Sequence, residues 1–405
     1  MTAELQKRKF ADIGSGRSIL CRSTKVPNVM LLSLAIVYPL NMYYLAHLPL
    51  DLTHGASSSL SWQDTPTPYK DTIKNYIPSS CEKYIIEHAE QLGYASTKVG
   101  TANEPWLNLA SGCAIWLDPK VSNEEIYNGL RSYLKDLNDY NEAMKKFEPI
   151  PDLFDDIKKG NYDVCLSAKV HPDGLSALFP GKQLSLSKSG YVEPLTPPMR
   201  SFEGMCGGGG GVMDIDYLVH DFEAMCRNLK PTSRRVFIDL GASLDHGTGN
   251  PVGQLLGDYE KFGFHFDHIY AFEVKFTKPE DVYGSLLNEK YFPAYHWINV
   301  GVNEKVGDKL NPLNSILQKY TEDDFIVFKL DIDINSIELP LAQQLLAGGV
   351  NGMYHRLIDQ FYFEHHVHFS EIAYAWNETM EGTIKDTLDL FYGLRSKGIT
   401  SHFWP

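Results

Sequence analysis

From Arg234 to the carboxyl terminus, short apolar runs alternate with longer amphipathic stretches, and this alternation restricts the fold more than any other feature of the 405 residues. The runs are "RVFIDLGA" (235–242), "HIYAFEV" (268–274), "YHWINVGV" (295–302), "FIVFKLDI" (325–332) and "IDQFYFEHH" (358–366). Between them, "GQLLGDYEKFGF", "PEDVYGSLLNEKYF", "LNSILQKY" and "SIELPLAQQLLAGG" each have the length of a helix. A last helix in "GTIKDTLDLFYGLRSKGITSHFWP", with Gly398 as its C-cap, precedes a final strand. Such alternation predicts an α/β fold, Rossmann-like and doubly wound, with a mostly parallel sheet covered on both faces. Ligands of these sheets bind beyond the carboxyl ends of the strands.

The strand ends therefore hold the candidate functional residues. Strand one closes on Asp239, Gly241 and Ser243: Gly241 permits close backbone approach, and Asp239 accepts hydrogen bonds from an amine or from turn amides. Strand two ends in Glu273, an acid placed to accept two ribose hydroxyls. Strand four delivers Asp331 and Asp333, and strand five Glu364, His365 and His366. The two histidines face opposite sides of a strand, so at most one joins Asp331. Asp331, Asp333 or His366 suits the role of general base. A divalent metal on Asp331, Asp333, Glu364 and His366 is a further expectation, since oxygen and imidazole ligands there would acidify a hydroxyl. The structural alternative gives Asp333 or Asn335 to the cap of the next helix.

In their order, "FIDLGAS", "IYAFEV", "HWINVGV" and "FKLDIDINSIE" resemble the motifs of the FkbM-type methyltransferases, which depend on S-adenosylmethionine. The resemblance covers about 234–375 and implies a class I methyltransferase-like sheet. By position, Asp239, Gly241 and Ser243 would support the methionine moiety, Glu273 would hold the ribose, and Asp331 would lie beside donor and acceptor. This sequence departs from the family at several points. Ser243 replaces the usual Asn, Val274 the usual Pro, and Asp333 and Asn335 the usual Glu-Gly, while Glu338 keeps the last acid.

The rest of the chain sets the context. Net charge is −14, which argues against a nucleic-acid partner because phosphate contacts need a concentrated basic surface. Yet Lys7, Arg8, Lys9, Arg17, Arg22 and Lys25 crowd into residues 1–25, and Val26 to Leu50 then carry no charged side chain. About 20 such residues span a bilayer, and charge on the amino-terminal side orients the tail to the cytosol. Residues 26–50 are thus expected to be a type II signal anchor, with the remainder in the lumen of the Golgi or endoplasmic reticulum. A Ser/Thr/Pro-rich stem (51–75) follows. A mixed region (76–206) contains a helix expected to begin with a Ser122/Glu125 capping box, with Ile126, Leu130, Leu134, Leu137, Tyr140, Met144 and Phe147 facing the core. Five glycines at 207–211 read as a hinge within a 207–233 linker, ahead of the 234–405 domain. Five cysteines beyond the anchor permit two disulfides and one remaining thiol.

The combined expectation is a membrane-anchored S-adenosylmethionine-dependent O-methyltransferase acting on a glycan, lipid or small-metabolite hydroxyl. Two alternatives stand beside it. One is a lumenal glycosyltransferase using Asp331-Ile332-Asp333 as a metal-binding DxD; the other is a non-catalytic methyltransferase-like scaffold.

Overall fold

The hydrophobic runs that the sequence spaces so regularly pair into one parallel sheet. The computed structural model describes residues 75–96, 109–151, 153–208, 211–242, 244, 250–373 and 380–405. The expected anchor at 26–50 and Ser243 lie outside the described residues. In chain order the main elements are α1 (Ser80–Glu87), α2 (Glu124–Lys146), a hairpin of β1 (Ser185–Ser187) and β2 (Gly190–Val192), and α3 (Phe222–Asn228). There follow β3 (Arg235–Leu240), α4 (Pro251–Lys261), β4 (His268–Phe272), β5 (Tyr295–Ile298) and β6 (Phe325–Leu330). The chain ends with α5 (Asn335–Ala347), β7 (Gln360–Phe363), α6 (Ile384–Ser396) and β8 (Thr400–Phe403).

The sheet order is β5-β4-β3-β6-β7-β8, and every pairing in it is parallel. Counted from β3, this is the doubly wound order 3-2-1-4-5-6, whose direction reverses between β3 and β6. Parallel crossovers are right-handed, so the reversal places the helices of the two halves on opposite faces. Every residue of β3, β6, β7 and β8 is buried, as central strands covered on both sides require.

Each of the six expected strands forms, and the five with a defined apolar run end earlier than that run. Two expected helices do not form as such. Residues 279–292 make only short turns around Pro279–Asp281, Val282–Leu286 and Glu289–Tyr291, and 312–319 a single turn plus a 3-10 turn. Gly284 and Asn288 favour turns over helix in the first, and Asn311-Pro312 starts a helix in the second that Ile316 ends. Helix α2 is capped by Asn123, which accepts the Ile126 amide at 2.9 Å, in place of the expected Ser122 box. Its buried face holds Tyr133 as well as the expected Ile126, Leu130, Leu137, Tyr140 and Met144. The C-cap of α6 is Lys397, and Gly398, expected in that role, follows it at φ 97°.

Asp64–Pro405 form one compact unit. Buried Arg395 of α6 donates to the Glu193 backbone oxygen at 2.8 Å and to its carboxylate at 3.0 Å, and lies 3.4 Å from Glu82. Disulfides join Cys113 to Cys206 and Cys165 to Cys226, leaving Cys81 as a buried thiol. Among the described residues no helix is long and apolar enough to cross a membrane.

Candidate active site at the carboxyl edge of the sheet

Beyond the ends of β3, β4, β5 and β6, beside the point where the strand order reverses, lies an open cavity of about 310 Å³. Gly241, Glu273 and Asp331 line it, with Asp333 at its rim and Val274, Val300, Val302, Ile334 and Ile337 supplying an apolar wall. Val274 and Ile334 are exposed, at 71% and 43%, while Val300, Val302 and Ile337 are half-buried. The combination of an apolar body with a few convergent polar groups is typical of small-molecule sites. Glu273 is half-buried and accepts the Lys275 amide at 2.5 Å, a turn that fixes its carboxylate at the end of β4.

Gly241 has a structural duty as well. Its φ is 80°, and a β-carbon there would stand 1.6 Å from the Asp331 backbone oxygen, so β3 and β6 leave room for glycine alone. The amides of Gly241 and Ala242 both donate to the Phe272 carbonyl, at 3.0 and 2.9 Å. The close approach expected for a ligand is therefore first an approach of one strand end to another.

Asp239 does not line the cavity, contrary to expectation. It is buried one layer below, with its carboxylate 3.0 Å from the ammonium of Lys329, which lies 3.0 Å from Asp331 in turn. Lys329 also donates to the Gly241 carbonyl at 3.3 Å, and the Trp404 indole donates to Asp331 at 3.1 Å. A buried ammonium is tolerable only with such partners. Burial works against the charged forms of both groups. The facing carboxylates nevertheless hold Lys329 above its ordinary value, and Lys329 holds Asp331 below the usual carboxylate range.

A second cluster adjoins the first. The strand alternation continues past β7, so Glu364 and His366 share one face while His365 turns away, as expected. His365 stacks on Phe363 and bonds Thr387 at 2.9 Å, and burial lowers its pKa to about 4. His366 Nε2 lies 3.1 Å from Glu364 and 4.0 Å from Asp333. Burial alone would lower the His366 pKa, but the bond and charge of Glu364 outweigh it and raise it. Burial holds Glu364 above its ordinary value despite His366 and Arg200, whose guanidinium forms a buried ion pair with it.

Neither Asp333 nor Asn335 caps α5; the N-cap position is Ile334, with no side-chain bond. Glu338 in the first turn accepts the Ile332 amide at 2.6 Å, and burial raises its carboxyl to about 7. Asp333, Glu364 and His366 bring one ligating atom each within 4.8 Å of one another; Asp331, expected with them, is not in that group, its carboxylate being held by Lys329, Trp404 and Glu364. His368 bonds the Gly382 carbonyl at 2.7 Å. Sequence reasoning missed Arg200 and Trp404, which come from distant segments, and gave Lys329 no role although it interrupts an apolar run.

Fold and site thus define an α/β protein with an acid-lined, ligand-sized cavity at its topological switch point. Comparison of the chain with models of known protein families, with curated proteins and with solved structures returned no match.

Proposed function

We propose that the protein is an S-adenosylmethionine-dependent methyltransferase with a class I-like sheet, acting on a hydroxyl of a glycan, lipid or small metabolite. The observation that carries the reading is the cavity joining Gly241, the β4-terminal Glu273 and the valine and isoleucine wall. Glu273 would accept the ribose hydroxyls, and Val274, Val300, Val302, Ile334 and Ile337 would give the adenine an apolar wall. The bound donor supplies an electrophilic methyl group, so the protein has chiefly to align an acceptor oxygen and exclude water. Asp333, on the cavity lining, is the group placed to take the proton of such an oxygen, and buried His366 lies 4.0 Å from it. Asp331, neutralised by Lys329, positions the β6 end instead.

A cytosolic tail with a membrane anchor at 26–50 remains part of the proposal. The two disulfides support a lumenal site for the folded part, since such bonds persist in oxidising compartments.

Titration calorimetry of the chain in EDTA tests the donor site. Micromolar binding of S-adenosylmethionine is expected, with Glu273→Gln at least about tenfold weaker, or ~1.4 kcal/mol. Binding of a UDP- or GDP-sugar in Mn²⁺ without binding of the methyl donor would establish the glycosyltransferase alternative. Binding of neither would leave the scaffold.

A further inference from the structure

We infer that Asp333, Glu364 and His366 form a site for one divalent cation of the Mn²⁺ class at the rim of the cavity. Two donors on one ion at about 2.1 Å stand roughly 3 to 3.5 Å apart. Glu364 Oε2 and His366 Nε2, 3.1 Å apart, already have that bite. The third donor, an Asp333 oxygen, is 4.0 Å from the imidazole nitrogen and within 4.8 Å of the Glu364 oxygen, and has to close in by about 0.5 to 2 Å. Its side chain is 75% exposed and free to do so.

The surroundings look built for the purpose. Arg200 holds the other Glu364 oxygen, which orients Oε2 toward the imidazole as an outer-shell partner orients a ligand. Asp333 takes a φ of 60°, uncommon outside glycine, and that backbone turn brings its carboxylate toward His366. Independently, Glu338 Oε2 is buried without a hydrogen-bond partner, and its carboxyl feels the charges of Asp331, Glu364 and His366. Among the described residues, Asp239, Asp331, Asp333, Glu338 and Glu364 gather here beside two fixed cations, Lys329 and Arg200. A divalent ion would neutralise that surplus.

Two carboxylates and one imidazole suit Mn²⁺ better than a soft metal. Three protein donors leave positions open for acceptor oxygens, and Asp333 belongs both to this set and to the cavity rim. An acceptor hydroxyl or vicinal diol held by the ion would therefore face the donor cavity. This role rests on the methyltransferase reading; the ion site itself does not.

Electron paramagnetic resonance of Mn²⁺ with the full chain, without methyl donor, tests the site. Saturable binding is expected below about 100 µM, with a histidine nitrogen coupling in the echo-modulation spectrum. Asp333→Asn tolerates the positive φ and is expected to weaken binding at least about tenfold; His366→Gln is expected to abolish the nitrogen coupling. No saturable binding, or binding that both substitutions leave unchanged, would overturn the inference. Because the donor titration is done in EDTA, failure of the ion site and failure of the donor site are read separately.

Discussion

Lys329 occupies the next-to-last position of a strand in which every residue is buried, and its charge is balanced from both sides by Asp239 and Asp331. Removing it strands the buried Asp239 carboxylate and the half-buried Asp331, and breaking a buried pair in this way typically costs about 3–5 kcal/mol. Lys329→Met should therefore lower unfolding stability by that order in a denaturant titration, while leaving Glu273 unaltered. The pH response has a definite sign. Asp331 is depressed in the folded state, so its contribution is present above the ordinary carboxylate value and is lost as pH falls through the folded one. This residue pattern was half legible: an aspartate-lysine-aspartate set is visible at strand ends, but which carboxylate faces the ligand depends on the strand above.

At the scale of elements, the turn joining β6 to α5 does the most for the site. It sends Asp331 inward to Trp404 and Asp333 outward to His366, and Glu338 closes it by accepting the Ile332 amide. Burial raises the Glu338 carboxyl from 4.5 to about 7, so the stability associated with its protonated form is full below about 4.5 and lost as pH rises through about 7. Glu338→Gln should flatten the stability profile across that interval in pH-dependent thermal unfolding; an unchanged profile would refute the assignment. The sequence showed this acid as the last member of a motif. Its burial was not legible, because nothing in a local pattern reports how tightly a helix start packs against the sheet.

For the whole molecule, Arg395 ties the segment containing Glu82 and Glu193 to the last helix and strand. Glu193 also bonds His402 of β8, at 2.9 Å. These contacts join residues more than 200 positions apart, so Arg395→Met is expected to cost about 3–5 kcal/mol and to unfold the molecule in one transition rather than release a separate domain. Two transitions in calorimetry would contradict it. The same region sends Arg200 to Glu364, making the amino-terminal half part of the candidate site.

What the sequence settled unaided was the set of six strands and the edge on which chemistry collects, because apolar periodicity and the chain-end rule of parallel sheets act locally along the chain. Only the tertiary structure decided that Asp239 lies beneath the cavity, that Gly241 makes room for Asp331, and that Arg200 and Trp404 reach the site. Those facts depend on how closely segments far apart in sequence approach one another, and a buried charge chooses its partner by distance in space.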